Sequence, residues 1–286
     1  MSGLGAHLAM GTTTLARCWR LSRRDGVVLG FTDHDLDLHF DGVRHMAGSG
    51  LGALALSATT GMAVDNTEAR GALSSDAITE EDLRAGRYDG AEVTAWTVNW
   101  ADVAERRIDF RGSIGEVSWS GGAFRAEMRG LSEALNQPQG RVYQRGCTAV
   151  LGDNRCRVDL AGGGWQVETA IQEIDDGARL WLPAIHDRAA GWFEGGRLVM
   201  LDGAAAGLEG VVRADRIMPQ GRLIELWSAL RAPIGPGDRV RMIVGCDRRR
   251  ETCRDRFANL VNFQGFPWLR DESWLLVSPA AGRGDG

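Results

Sequence analysis

Four cysteines carry the densest chemistry in this chain, and they fall into two pairs: Cys147 with Cys156, and Cys246 with Cys253. The first pair is nine residues apart, with Gly152-Asp153-Asn154 between them as a turn signal. Such a turn folds the chain back and brings both sulfurs to one side. The second pair is seven residues apart. On one continuous helix two such residues share a face but stand about 10 Å apart along the axis. Zinc–sulfur bonds are only about 2.3 Å long, so a single helix carrying both is too extended for a shared ion. The spacing therefore places Cys246 at the end of a strand over Arg239–Val244. Cys253 then falls in the first turn of a helix, whose N-terminal dipole favours a thiolate. Glycine precedes the first member of each pair, in Gly146-Cys147 and Gly245-Cys246, and lets the backbone approach a metal closely. Arg145, Arg155, Arg157, Arg248, Arg249, Arg250 and Arg254 surround the pairs in sequence, and such cations offset the charge of four thiolates. Four thiolates suit either one zinc or one iron–sulfur cluster. The spacing is neither a Cys-x2-Cys knuckle nor a ferredoxin run, so it leaves both open. Four unrelated buried thiols, or disulfides, are the alternatives. Cys18 has no neighbouring cysteine and reads as a buried thiol in a strand.

A second group is acidic. On a strand, Asp33, Asp35, Asp37 and His39 share one face, and three adjacent carboxylates repel one another unless a cation sits among them. The rival reading they support is a metal-dependent hydrolase. The plainer one is a solvated strand edge whose charge discourages unwanted pairing. Ser74, Ser75 and Asp76 lack a Gly-x-Ser-x-Gly elbow and an assignable histidine base, and read as a turn. His186 beside Asp187 reads as a loop pair. The glycine runs at 48–52 and 161–164 lack a following Gly-Lys-Ser/Thr, so no phosphate loop is expected. Phe263, Phe266, Pro267, Trp268 and Trp274 form an aromatic C-terminal segment, fit either to cover the cysteines or to meet a partner.

The elements that position these groups read mainly as strands, with a few short helices. The chain has 286 residues, 39 glycines and 10 tryptophans, and glycine-rich turns with aromatic strands suit a β-rich protein. Cys18–Ser22 and Val27–Thr32 flank Arg23-Arg24-Asp25-Gly26, a hairpin signal. Glu92–Trp100 alternates, with Val93, Ala95, Thr97 and Asn99 on one face. Ala91, Thr94, Trp96, Val98 and Trp100 crowd the other. Ile108–Arg111, Gly115–Trp119 and Ala123–Arg129 read as a meander. Thr79-Glu80-Glu81-Asp82 is an N-cap with an acidic first turn, predicting a short helix over Glu80–Ala85. Another is expected over Leu131–Asn136, ended by Pro138 and Gly140. Seven further strands are expected: Trp165–Ile171, Arg179–Leu182, Gly191–Phe193, Arg197–Leu201, Gly210–Arg216, Arg222–Leu226 and Arg239–Val244. Their spacing suggests a small barrel or sandwich. A helix follows over about Glu251–Val261. The expected domains are 1–140 and 141–278, with 279–286 as a disordered tail.

The net charge is −5, and all 33 basic residues are arginine. A general nucleic-acid binder needs a basic footprint that this balance does not supply. No apolar run reaches about 18 residues, and Met1–Thr14 does not read as a secretory signal. A reducing compartment is therefore expected, in which cysteines serve as thiols or metal ligands.

Several stretches resemble a family of phage and prophage tail proteins. Gly245-Cys246-Asp247, Glu251-Thr252-Cys253-Arg254, Phe257-Ala258-Asn259, Asn262-Phe263 and Gly265-Phe266-Pro267 are similar to its C-terminal signature. Val142–Leu160 is similar to its first cysteine pair. Asp25-Gly26 through Gly30-Phe31-Thr32-Asp33-His34-Asp35, and Gly71–Val93, are similar to its N-terminal part. The family is that of the baseplate hubs of phages and gene transfer agents, and the C-terminal part also resembles minor tail protein L of lambda-like phages. The resemblance implies a structural, non-enzymatic component of the tail tip, assembled in the bacterial cytoplasm. It implies a tail-tube-like β domain plus a small β-barrel or sandwich domain closed by a four-cysteine metal centre. It further implies a homo-oligomeric ring, a trimer, joining the distal tail protein to the tip or fibre protein, around a channel through which DNA passes without specific binding. For Cys147, Cys156, Cys246 and Cys253 it implies a [4Fe–4S] cluster rather than zinc.

Overall fold

The computed structural model describes residues 3–48, 66–72, 78–120, 123–130 and 140–269. The chain divides into two units, Met1–Pro138 and Gln139–Gly286, and both are mainly β.

The first unit holds one eight-stranded sheet. Its strands are β1 (Leu15–Ser22), β2 (Val28–Thr32), β3 (Leu38–Phe40), β4 (Val43–Met46), β5 (Asn66–Ala72), β6 (Glu92–Asn99), β7 (Arg106–Ser120) and β8 (Ala123–Gly130). Their spatial order is β3-β4-β2-β1-β6-β7-β8-β5. Two short helices accompany them, α1 (Gly3–Leu8) and α2 (Glu80–Arg84). The Asp25-Gly26 turn joins β1 to β2 as its sequence predicts. Gly26 takes φ +89°, a left-handed conformation that glycine adopts without steric cost. Thr79 caps α2, its hydroxyl accepting the Asp82 amide at 3.1 Å. Leu83 on α2 and Tyr88 just beyond it enter the core with Trp19, Phe31, Val93 and Ala95. Ala16, Cys18, Leu38, Phe40, Trp96 and Val98 form a second core. The alternation of β6 thus feeds two cores, one on each face. Ala91 departs from expectation and joins the Val93 face.

One feature differs from the sequence reading, and two lie beyond it. The strand expected to break near residue 112 is one 15-residue strand, β7, because a register shift between Ile114 and Val117 absorbs the irregularity opposite β8. β4 pairs in parallel with β2, Gly30 lying opposite His45. Gly30 permits this, since a Cβ there would stand 2.5 Å from the Arg44 carbonyl oxygen. β5 pairs with β8 across more than fifty residues, Asn66 opposite Arg129. The predicted helix at Leu131–Asn136, Ser74–Asp76, Trp274 and the tail 279–286 lie outside the described residues.

His45 is fully buried on β4, stacked on Phe40 at 4.0 Å with Trp96 edge-on. Neither ring nitrogen makes a hydrogen bond. Burial lowers its pKa, and the nearby backbone of Leu38 and Val43 only partly offsets this. The folded chain therefore holds His45 neutral, while the unfolded chain takes up a proton near pH 6.5. Stability is fully present above that pH and falls as pH drops below it. Thermal unfolding of the wild type should show this loss below about pH 6.5. A His45→Phe variant, which keeps the stacking and removes the titration, should lose less over the same window.

The second unit holds a seven-stranded antiparallel sheet. Its strands are β9 (Gln166–Ala170), β10 (Glu173–Ile174), β11 (Arg179–Leu182), β12 (Arg197–Met200), β13 (Glu209–Met218), β14 (Gly221–Leu226) and β15 (Arg239–Ile243). Their order is β10-β11-β14-β13-β12-β15-β9. Leu180, Leu182, Leu198, Met200, Val212, Ile224, Leu226, Val240 and Met242 meet in one core, with Val167 and Ile174 packed against it. All seven strands feed the same core, so the sheet curls around it.

A buried ion pair spans this unit. Arg222 and Asp215 have side-chain exposures of 1% and 0%. The guanidinium donates to both Asp215 oxygens at 2.7 Å and to the carbonyls of Arg188 and Ala189 at 2.9 and 2.6 Å. Asp215 in turn accepts the Phe193 amide at 2.9 Å. Gly191–Phe193, expected as a strand, is a turn: the Trp192 amide bonds back to the Ala189 carbonyl, while the Gly191 and Phe193 amides both go to one residue, Asp215, to its carbonyl and its carboxylate, instead of running along a ladder.

After β15 the chain forms α3 (Arg250–Asp255) and a single 3-10 turn (Leu260–Asn262). The helix expected to reach Val261 stops early. Ala258 adopts φ +48°, and the Asn259 amide turns back to the Cys253 carbonyl at 2.9 Å.

Candidate metal centre

Both cysteine pairs lie in the second unit, on loops outside its sheet. The first loop is organised by Asp153. Its carboxylate accepts the amides of Val150, Arg155 and Cys156 at 3.0, 2.9 and 2.6 Å. Against the cost of burial, these bonds hold the Asp153 pKa below the ordinary carboxylate value. Gly152, at φ +82°, makes the turn. The second loop is organised by Asp247, which accepts the Arg249 amide at 3.0 Å and the Thr252 hydroxyl at 2.8 Å. Cys246 lies just beyond β15 and Cys253 within α3, where the spacing argument places them.

Backbone bonds join the two loops. The Cys147 amide donates to the Arg248 carbonyl at 2.8 Å, and the Phe266 amide to the Gln144 carbonyl at 2.9 Å. The Asn259 side chain donates to the Cys156 carbonyl at 2.5 Å. Close approach fixes two glycines here. A Cβ on Gly245 would stand 1.7 Å from the Glu194 carbonyl oxygen, and one on Gly265 would stand 2.6 Å from that of Arg145. Gly146 has no such backbone overlap. Trp165 packs against Trp192 and Phe257, with ring centroids 6.1 and 5.1 Å apart, and Arg256 lies over the Trp192 ring at 4.8 Å.

The four cysteines lie near enough to influence one another electrostatically. Burial pushes the Cys253 thiol up to about 11, and repulsion from Cys147, Cys156 and Cys246 adds to it. Burial likewise raises Cys246, partly offset by a bond from the Arg248 amide to its sulfur. These effects act against the thiolate that a helix N-terminus favours. α3 itself is short, with only six residues. Two more sulfurs face N–H donors: Cys147 with the Gln264 amide at 3.4 Å, and Cys156 with the Asn259 side chain at 3.7 Å. Cys253 donates its own proton to the Asn259 carbonyl at 3.4 Å. Among the described residues, no three His, Cys, Asp or Glu side chains are close enough together to hold a metal ion in this arrangement.

The local backbone is costly to form. Arg157, Arg248 and Ala258 are three of only four non-glycine residues with positive φ among those described. All three sit within five residues of a site cysteine, and such strain concentrates at functional sites. The arginines act differently from expectation. Arg145 reaches the Leu269 carbonyl at 2.7 Å, Arg155 the Thr148 carbonyl at 3.1 Å, and Arg254 pairs with Asp255. Amides rather than guanidinium groups meet the sulfurs. A cleft lined by Ala149, Leu151, Gly196, Val244 and Arg248 opens beside Cys246 and gives access from solvent.

The other candidates do not assemble. Residues 33–37 form an irregular loop, and only His39 lies on β3. Asp33 accepts the Arg17 amide at 2.6 Å, and Asp37 binds Arg44 and the Ala47 amide. The strand face needed for a shared cation is absent from these residues, because their carboxylates anchor backbone instead. Cys18 is fully buried in the first unit, bonded to the Thr32 hydroxyl at 3.4 Å. In the aromatic segment, Phe266 packs on Tyr143 while Trp268 is 82% exposed. The sequence reading missed Asn259 and Gln264 as sulfur partners. The Asn259 side chain, two residues beyond Phe257, was the available signal for the first; the second is a main-chain amide that no side chain announces.

Two families of phage proteins match the chain. Residues 1–159 match the family described as baseplate hub protein, N-terminal attachment domain, and residues 191–272 match the family of phage conserved hypothetical protein BR0599. More particularly, the chain belongs to the baseplate hub family. A chain in a solved structure described as the virion of a native gene transfer agent particle is 56% identical to it. That match has a TM-score of 0.88 and covers 99% of this chain and 98% of that one. Among curated proteins no relative matches.

Proposed function

We propose that this protein is the structural baseplate hub at the tail tip of a gene-transfer-agent-like particle. Copies of it form a ring, a trimer, around the DNA channel. The ring joins the distal tail protein to the tip or fibre protein, and DNA slides past its net negative charge without specific binding. The observation that carries this reading is the 56% identity to a virion chain over 99% of the present one.

The second unit is closed, in this reading, by a [4Fe–4S] cluster on Cys147, Cys156, Cys246 and Cys253. Four cysteines near enough to influence one another electrostatically, two buried and two half-buried, with N–H donors on three of the sulfurs, suit thiolate ligands. A tetrahedral zinc would need its sulfurs about 3.8 Å apart, given bonds of about 2.3 Å. A cluster is bulkier and spreads its ligands farther, so it does not need the four sulfurs to close on a single ion, and among the described residues no three such ligands do so. The group would supply a cross-link, with no redox turnover required.

The test is deletion of this chain from a particle-producing cell, followed by complementation. Tails lacking the tip, with DNA transfer lost and restored by the wild-type chain, are the expected result. Complete tails in its absence would overturn the proposal.

A further inference from the structure

Asn259 makes contacts that no other described residue makes to the cysteines. Its side-chain amide donates to the Cys156 carbonyl at 2.5 Å and faces the Cys156 sulfur at 3.7 Å. Its main-chain amide donates to the Cys253 carbonyl at 2.9 Å, and its carbonyl accepts the Cys253 thiol at 3.4 Å. One residue thus holds Cys156 and Cys253 together, although Cys156 and Asn259 are 103 residues apart in sequence. The amide has one permitted orientation. A carbonyl is only an acceptor, so the nitrogen must face Cys156, and one of its two hydrogens remains for the sulfur. The opposite end is held by the Asn262 side chain, which donates to the Asn259 Oδ1 at 2.7 Å.

We propose that Asn259 is the positioning residue of the cysteine centre. It sets the distance between the two pairs before any metal binds, and it directs an N–H donor at the Cys156 sulfur afterwards. This inference rests on the metal-centre reading above. Strain at Ala258, φ +48°, is what turns Asn259 back toward Cys253. Partners of this kind orient metal ligands and tune the group they hold. An N–H donor to a ligand sulfur stabilises the added electron, so its loss moves the reduction potential to more negative values.

The experiment uses the full chain, purified anaerobically and reconstituted with ferrous iron and sulfide. Wild type is compared with Asn259→Ala and with the isosteric Asn259→Asp, which presents a carboxylate where the donor stood. Three quantities are read: iron release to a chelator, the reduction potential, and the melting temperature with and without iron. The expected result is a centre held roughly 10- to 100-fold more weakly in both variants, at a more negative potential. The rise in melting temperature on iron loading should shrink. A merely structural role would lower both melting temperatures equally and leave the potential unchanged, and that result would overturn the proposal while sparing the centre. Variants that fail to fold even without iron would assign Asn259 to folding and overturn it too. A wild type that takes up no iron would remove the centre itself, and the role of Asn259 with it.

Discussion

Replacing Cys253 by serine should abolish iron uptake and loosen the second unit, while leaving the first unit folded. Wild-type protein prepared without oxygen should be brown and carry about four irons per chain, and Cys253→Ser should be colourless. The loss of stability follows from loop closure. The centre ties Val142–Leu160 to the chain beyond Val244, with Cys156 and Cys246 separated by ninety residues. A cross-link closing a loop of that length restricts the unfolded chain by about 4–5 kcal/mol. Metal binding and folding are thereby linked. Iron and sulfide assays, with urea unfolding followed by tryptophan fluorescence, give the comparison. A wild type holding one zinc and no iron would keep the cross-link and exclude the cluster.

The second large effect is expected at Arg222. Arg222→Met should destabilise the second unit by about 3–5 kcal/mol, because it strands a buried, ionised Asp215. It also leaves the carbonyls of Arg188 and Ala189 without their donor. The double variant Asp215→Asn with Arg222→Met should recover part of that loss, since removing both charges avoids the unpaired one. Urea unfolding of the three variants against wild type tests both statements. Equal losses in the single and double variants would show that the carbonyl bonds, rather than the ion pair, carry the effect.

Local signals in the sequence were readable where one short segment sufficed to decide the outcome. The Asp25-Gly26 turn, the Thr79 cap and the two-residue period of β6 each depend on neighbours within a few positions. The placement of Cys246 before a helix and Cys253 within it was a matter of rise per residue. What the sequence hid depends on distant partners. β5 has no strong apolar period and exists as a strand through β8, while β4 inserts in parallel beside β2. The acidic run 33–37 alternates like a strand yet is a loop, because Asp33 and Asp37 bond to backbone amides. Arg222 is in phase with Ile224 and Leu226 on β14, so its inward direction was readable. Its partner, seven residues earlier across a turn, was the missing term.

The bonds between the two cysteine loops also decide how the second unit bears force. Its first described residues, near Arg141, and its last, near Leu269, are held side by side. Cys147 bonds to Arg248, Phe266 to Gln144, Arg145 to Leu269 and Asn259 to Cys156. The seven strands all lie in the chain between these fastened ends. Tension applied along the chain at either end meets this clasp first and passes across it, so the sheet stays out of the load path until the clasp fails.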